Sequence, residues 1–382
     1  TGTGSWIIDG TLANIAWAPS LVSYNLSWEK IRTWNAGVDF GLFKNRLTGS
    51  FDYYIRKTDD MVGPSEKLPV VLGTAVPSSN NTNLKTFGWE LELMWKDRLN
   101  NGLNYSARFT LADSRTKITR YSNPSGLIDG FYAGKYVGEI WGYETIGIAQ
   151  SDQEMAEHIG RLINGGQSNL GQDWKAGDIM YKDLNEDGKI DAGSRTLQDH
   201  GDLKRIGNST PRYNVGLELA ADWKGFDIRM FWQGTLKRDY FQGSYYFWGA
   251  NGRQGPWFST ALKGHDDYFR NDEASPLGTN LNSYYPRPLF NTDKNQQSQT
   301  KYLQDASYLR LKNLQIGYSL PHNIVQKMGM QHLRIFASGE NLFTITSLID
   351  FFDPESIEGG SWGHGNVYPL SRTFSFGLNV TF

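Results

Sequence analysis

Asp183, Asn185, Asp187 and Asp191 stand at positions 1, 3, 5 and 9 of the run Asp183-Leu-Asn-Glu-Asp-Gly-Lys-Ile-Asp191, with Gly188 at the turn and Lys189 at position 7. Hard oxygen donors at that spacing converge on one cation when the loop curls, and the Lys189 carbonyl adds a main-chain donor. Ca2+ is the ion such a set implies, as a structural cofactor. Position 12, where a bidentate acid completes an EF-hand-like cage, is Ser194. The alternative for the same residues is an Asx-rich turn held by its own side chain to backbone hydrogen bonds.

No other grouping carries chemistry as well. His158, His200, His265, His322, His332 and His364 show no metal spacing. Asp59-Asp60 and Asp266-Asp267 are adjacent acids, but nothing places them across a glycosidic bond. No glycine-rich phosphate loop follows a strand, and Gly249-Ala-Asn-Gly252 reads as a flexible turn. A catalytic constellation is therefore not expected. Aromatic residues give a different lead: Tyr245, Tyr246, Phe247, Trp248, Trp257 and Phe258 cluster in one long connection, with Tyr284, Tyr285 and Trp362 in others. Flat rings at loop tips stack on sugar faces, and the same rings also pack loops together or line protein interfaces.

The elements that must position these loops announce themselves by a period of two. In the last eleven residues Phe374, Phe376, Leu378, Val380 and Phe382 alternate with Thr373, Ser375, Gly377, Asn379 and Thr381. This makes a strand with one apolar and one small polar face, close to the roughly 9–11 residues that cross a bilayer when tilted. Phe382 ends the chain on an aromatic, as outer-membrane barrels commonly do; the last strand of a soluble sandwich is the alternative. The same alternation runs through Trp34–Leu42 and Leu47–Ile55, through Phe87–Trp95 and Leu103–Leu111, and through Tyr213–Leu219 and Phe226–Trp232. Glu90, Glu92, Arg108, Glu218, Asp227, Arg229 and Gln233 fall on the polar register. Charges there are costly in a dry sandwich core and cheap in a hydrated lumen. Short turns alternate with long connections at 57–84, 114–205, 234–305 and 346–371, placing the long ones outside the cell. Short helices are expected around Gln153–Leu162 and, after Pro321, through Asn323–Met328.

Composition agrees. Mean hydropathy is -0.51, and no apolar run is long enough for a transmembrane helix. A barrel hides its hydrophobicity in alternation, so a polar average is compatible with a membrane protein. With no cysteine there is no disulfide or thiol chemistry, and a net charge of -2 offers nothing to nucleic acid.

Several ordered stretches resemble SusC/RagA-type TonB-dependent transporters. They are Leu26–Glu29, Gly37–Gly49, Asp52–Tyr54, Gly142–Thr145, Gly177–Asp191, Tyr302–Pro321, Ser338–Thr346 and Tyr368–Phe382. Similar loops in that family often carry an acid where Ser194 stands, which weakens the calcium expectation here. The resemblance implies an all-β fold: an antiparallel transmembrane β-barrel portion with long extracellular loops, the C-terminal half of a plugged barrel of about 22 strands. About ten or eleven strands are assignable. Residues 1–382 are thus expected to be one barrel portion, without the plug domain and TonB box, belonging to a longer polypeptide or completed by a second chain. The implied function is active import across the outer membrane of glycans or oligopeptides. The implied partners are outer-membrane lipid, a SusD-like surface lipoprotein, and TonB. A receptor or adhesin barrel that binds without transport is the rival reading, and an outer-membrane glycosidase or protease barrel a third.

Overall fold

The computed structural model describes residues 2–15, 23–24, 26–63, 77–249, 261–358, 365 and 367–382. Its main feature is a nine-stranded antiparallel sheet. Its strands are β3 (Lys30–Leu42), β4 (Leu47–Gly63), β5 (Ser79–Arg98), β6 (Asn104–Arg120), β11 (Arg212–Trp223), β12 (Phe226–Lys237), β15 (Tyr308–Ser319), β16 (His332–Thr346) and β17 (Thr373–Thr381). Spatial order follows chain order from β3 at one edge to β17 at the other, so every long strand pairs with its predecessor in the meander. A separate hairpin, β1 (Gly2–Ile8) with β2 (Thr11–Ile15), precedes the sheet.

Register keeps the two faces apart. Val38, Phe51, Leu91, Leu111 and Val215 are successive cross-strand partners, and the neighbouring row runs Asp39, Ser50, Glu92, Thr110, Gly216 and Gln233. Because side chains alternate along a strand, the first row lies on one face and the second on the other. Aromatic pairs strengthen the apolar face: Phe51 and Trp89 stack with centroids 6.4 Å apart, and Phe226 lies 4.5 Å from Tyr318. On the polar face Arg108 donates to Glu92 at 2.8 Å, while Arg334 donates through Nε and Nη2 to Asp227 at 2.8 and 2.6 Å.

Tight turns close one end. Lys224 (φ 48°) and Gly225 (φ 90°) are the two central residues between Trp223 and Phe226, the left-handed pair that matches strand twist in a two-residue hairpin. The helix α3 (His322–Lys327) follows Pro321 within the β15–β16 turn, as the sequence predicts. At the opposite end the connections are long, and they hold α1 (Asp152–Arg161) and α2 (Tyr245–Trp248). In α1 the Ser151 hydroxyl accepts from the Glu154 N–H, and the Glu154 carboxylate accepts from the Gln150 N–H. A side-chain acceptor at the cap satisfies an otherwise orphaned first-turn donor.

About ten or eleven strands were expected, and among the described residues nine long strands form the main sheet while β1 and β2 pair with each other. The strands also outrun the hydrophobic alternation: β4 continues to Gly63 and β5 begins at Ser79, inside the span assigned to a loop. Alternation fades where both faces of a strand are wet, although the backbone ladder continues. Among the described residues no helix is long and apolar enough to cross a membrane, which says nothing of crossing by strands.

Candidate functional site

The packed core of this molecule lies in its long connections. Ile179, Tyr181, Ile190, Leu203, Phe247, Trp248, Tyr285 and Tyr302 form one buried cluster contributed by segments distant in sequence. These segments carry short strands of their own: β7 (Glu139–Gly142) with β10 (Lys204–Asn208), β8 (Thr145–Ile148) with β9 (Ile179–Tyr181), and β13 (Asp239–Phe241) with β14 (Leu303–Asp305). The loop layer is therefore a folded cap with apolar packing.

That packing decides where the loop aromatics sit. Trp248 and Tyr285 are 6% and 4% exposed, which puts their rings mainly against protein. Trp248 meets Tyr302 with centroids 4.7 Å apart, and Tyr284 meets Tyr285 at 4.8 Å. Tyr245 lies 4.3 Å from Tyr246, and the Tyr284 hydroxyl accepts from Gln304 at 2.9 Å. Trp257, Phe258, Trp362 and His364 lie outside the described residues. The sequence thus brings Tyr245, Tyr246, Trp248, Tyr284 and Tyr285 into one layer, chiefly through mutual packing.

A polar centre locks the cap. The Asp178 carboxylate, fully buried, accepts from the Lys175 N–H at 2.9 Å, from Arg287 Nε and Nη2 at 2.6 and 2.8 Å, and from Asn295 at 2.9 Å. Lys294 reaches it at 2.9 Å and also donates to the Gln172 and Asp173 carbonyls at 2.8 and 2.9 Å. Burial pushes the Asp178 carboxyl up, and the hydrogen bonds from Arg287, Asn295 and Lys294 outweigh it, holding the group below the usual carboxylate range. Burial pulls Lys294 down despite that partner. Sequence reading missed these residues. The only signal was a lone acid beside the apolar run Ile179-Met180-Tyr181.

The Asp183 loop is drawn together by its own backbone. Asp183 accepts from the Glu186 and Gly188 N–H groups at 2.7 and 2.8 Å, Asn185 from Asp187 at 3.2 Å, and Asp187 from Lys189 at 3.1 Å. Buried Asp202 accepts from the Leu184 and Asp191 N–H groups at 2.7 and 2.9 Å and anchors the loop at both ends. Gly188, at φ 80°, makes the sharp turn. The Lys189 ammonium lies 2.5 Å from Asp191 and 3.7 Å from Asp187, supplying positive charge among the acids. Ser194 donates from its backbone to Asp199 at 2.9 Å, so an acid stands next to the position that lacks one. Among the described residues no three His, Asp or Glu side chains form a ready-made metal group.

Two of the concavities among the described residues bear on these faces. One, of ≈ 350 Å³, lies in the cap beside Trp248, His265, Tyr285 and Arg287. The other, of ≈ 470 Å³, lies on the polar face of the sheet among Ser50, Asp52, Glu90, Glu92, Thr110 and Gln233. The wet side of the sheet is thus a charged trough below the cap.

A two-faced antiparallel meander, apolar on one side, charged on the other and capped at one end, defines a wall of a membrane-spanning β-barrel. By comparison with known proteins the chain belongs to the TonB dependent receptor-like, beta-barrel family, whose model matches residues 7–342. That places it in the bacterial outer membrane and among receptors rather than enzymes. It is 29% identical over 380 residues to TonB-dependent receptor P3 of Formosa agariphila, covering 94% of this chain and 34% of that protein. It is 26% identical over 373 residues to TonB-dependent receptor SusC of Bacteroides thetaiotaomicron, covering 95% of this chain and 33% of the relative. The chain therefore spans about a third of the length of the curated relatives it matches. The fold is similar to that of the RagAB peptide transporter, with a TM-score of 0.66 and 23% identity over all of this chain and 38% of the other.

Proposed function

We propose that this chain is wall and extracellular cap of an active importer in the outer membrane, taking up glycans or oligopeptides. The observation that carries the reading is the pairing of a lipid-compatible face with a polar face, charged on most of the long strands, beneath a folded cap. A bilayer requires every backbone group to be paired and the outer face to be apolar. A hydrated conduit tolerates Glu90, Glu92, Arg108 and Asp227 on the inner face. In this reading cargo is held between the cap and a SusD-like surface lipoprotein, and TonB supplies energy by displacing a plug domain seated in the lumen. The relatives named SusC and RagAB support the class of machine.

Calcium belongs to this reading as a structural ion of the cap. Asp183, Asn185, Asp187, Asp191 and the Lys189 carbonyl would hold it, with Lys189's ammonium displaced toward solvent. It would cross-brace the loop that Asp202 anchors, and no transport step depends on it.

The test is uptake by intact cells, with and without a functional TonB. Accumulation of radiolabelled oligopeptide or glycan that depends on both this protein and TonB is the expected result. Binding without accumulation would instead make the protein a receptor or adhesin.

A further inference from the structure

One stretch of the apolar face breaks its own pattern. Arg32 on β3, Lys57 on β4, Lys85 on β5 and Lys117 on β6 are successive cross-strand partners, so four cations stand side by side. Two residues nearer the short turns on each strand, the same face carries the row Trp34, Ile55, Phe87 and Arg115, and after it Ala36, Tyr53, Trp89 and Asp113. Contacts agree with this facing. The Lys85 ammonium lies 6.0 Å from the Phe87 ring centre, whereas the neighbouring Thr86 and Thr116 hydroxyls meet at 2.9 Å on the polar side. Lys117 and Arg115 lie 5.6 and 4.1 Å from the Tyr136 ring centre.

Like charges directly opposite one another destabilise a sheet, and nearby acids do not relieve this row. Asp59 is held by Arg32, Asp60 by Lys30 at 3.3 Å with Arg120 at 3.9 Å, and Asp113 by Arg212. Among the described residues no acid forms an ion pair with Lys57, Lys85, Lys117 or Arg115. The height of the row is as telling as its charge. From Leu42 beside the short turn to Arg32 is ten residues of β3, about 33 Å along the strand and about 25 Å upright at a tilt near 40°. The apolar band of an outer-membrane barrel is about that tall, with aromatic girdles at its rims. Trp34, Tyr53, Phe87 and Trp89 make such a girdle just beneath the cations, with the Trp34 and Tyr53 ring centres 6.2 Å apart. The row thus lies at the level of the cap-side lipid headgroups. A single lysine at that level is satisfied by snorkelling into water. Three adjacent lysines without an acid leave charge for an anion from outside the protein.

We propose that Arg32, Lys57, Lys85 and Lys117 bind the headgroup phosphate of a lipid in the outer leaflet, whose acyl chains lie against Trp34, Phe87 and Trp89. The assignment rests on the cap lying outside the cell, and it is independent of the cargo. Cations stacked above rings fit an amphiphile, because a lipid phosphate uses the ammonium groups while its chains cover the girdle. A small free anion would use only the upper half of that surface. Bound lipid then offsets the repulsion along the row and ties β3 to β6 across their cap-side ends.

The experiment uses the whole protein isolated from outer membranes in dodecyl maltoside and titrated by native mass spectrometry. The probes are diphosphoryl lipid A, the same lipid stripped of its phosphates, and inorganic phosphate as a competitor. The phosphorylated lipid should bind roughly tenfold or more tighter than the stripped one. Each lysine beside a membrane anion contributes about fivefold, so the triple variant Lys57→Gln, Lys85→Gln, Lys117→Gln should lose on the order of a hundredfold. Its folded band on heat-shift electrophoresis should persist, because the removed charges repel one another. The triple variant Lys57→Arg, Lys85→Arg, Lys117→Arg keeps the charges and should stay within about threefold of wild type. Lys224→Gln, beside Trp223 at the opposite rim, should change nothing. Equal binding of the two lipids, a folded glutamine variant that binds as before, or an arginine variant as weak as the glutamine one would each overturn the assignment. Displacement of the lipid by an equal concentration of inorganic phosphate would also overturn it. TonB-dependent uptake without lipid selectivity would remove the lipid site and leave the importer reading standing, and lipid selectivity without uptake would do the reverse.

Discussion

Asp178→Asn should loosen the extracellular cap while leaving the membrane sheet intact. The substitution keeps the shape and removes the charge, so Lys294, only 1% exposed, loses its anionic partner. Removing one member of a buried pair costs about 3–5 kcal/mol, because the other charge is left uncompensated. Arg287 is a quarter exposed on its side chain and recovers part of its loss in water, which favours the lower figure. Taking about 3 kcal/mol, local opening becomes roughly 150 times more frequent, at 1.4 kcal/mol per tenfold. Hydrogen exchange by mass spectrometry reads this directly in protein held in detergent. The reporters are the Ile179 N–H on Asn295, the Tyr181 N–H on Gln167 and the Arg287 N–H on the Gly177 carbonyl. Their peptides should exchange faster, whereas those of β11 and β12 should not change. Lys294→Met leaves Asp178 its Arg287 partner and should cost less. The pH dependence has a definite sign. Asp178 is held below its ordinary value, so its contribution is complete above about pH 4 and is lost as pH falls through the lower folded value. Exchange in the Asp178→Asn cap indistinguishable from wild type would refute the reasoning.

Other consequences are as direct. Leu217→Arg, near the middle of β11 on the apolar face, should destabilise the sheet by about 2–4 kcal/mol in vesicles, and Gln233→Arg on the polar face by much less; denaturant titration of the folded fraction separates them. His265 is held neutral, chiefly by burial, with the Tyr246 and Phe247 carbonyls opposing. The unfolded chain then takes up protons first, so cap protection around 246–249 and 262–266 should be full above about pH 6.5 and decline below it. Exchange at pH 8 and pH 5 tests this, and no decline would contradict it. Millimolar Ca2+ should slow exchange across 183–194 and Asp187→Asn should reduce that effect; an unchanged loop would leave the self-bonded Asx turn as its whole structure.

The sheet was legible in the sequence because alternation is a local property. Phe374 to Phe382, Phe226 to Trp232 and Phe87 to Trp95 each declare a face without reference to any partner. Register between them followed from short turns such as Lys224-Gly225. The upper parts of β4 and β5 were not legible, since residues such as Asn80 and Thr82 alternate nothing when both faces are wet. The cap was harder still. Asp178 stands more than a hundred residues from both Arg287 and Lys294, and no spacing rule joins them. Tyr245, Trp248, Tyr284 and Tyr285 were visible as a group, but whether rings at loop tips meet cargo or each other depends on the fold of the whole layer. The short-range acceptors of the Asp183 loop were visible in its spacing, while its anchoring by Asp202 needed the tertiary structure.

The wall itself is open to a clean measurement, because these 382 residues contain no cysteine. Single cysteines placed in turn from Asp227 to Gln233 along β12, in outer-membrane vesicles, would be exposed to a water-soluble thiol reagent. The account predicts labelling at 227, 229, 231 and 233 and protection at 228, 230 and 232, a period of two with lipid on one side and water on the other. Uniform labelling, or protection of the charged positions instead, would contradict it.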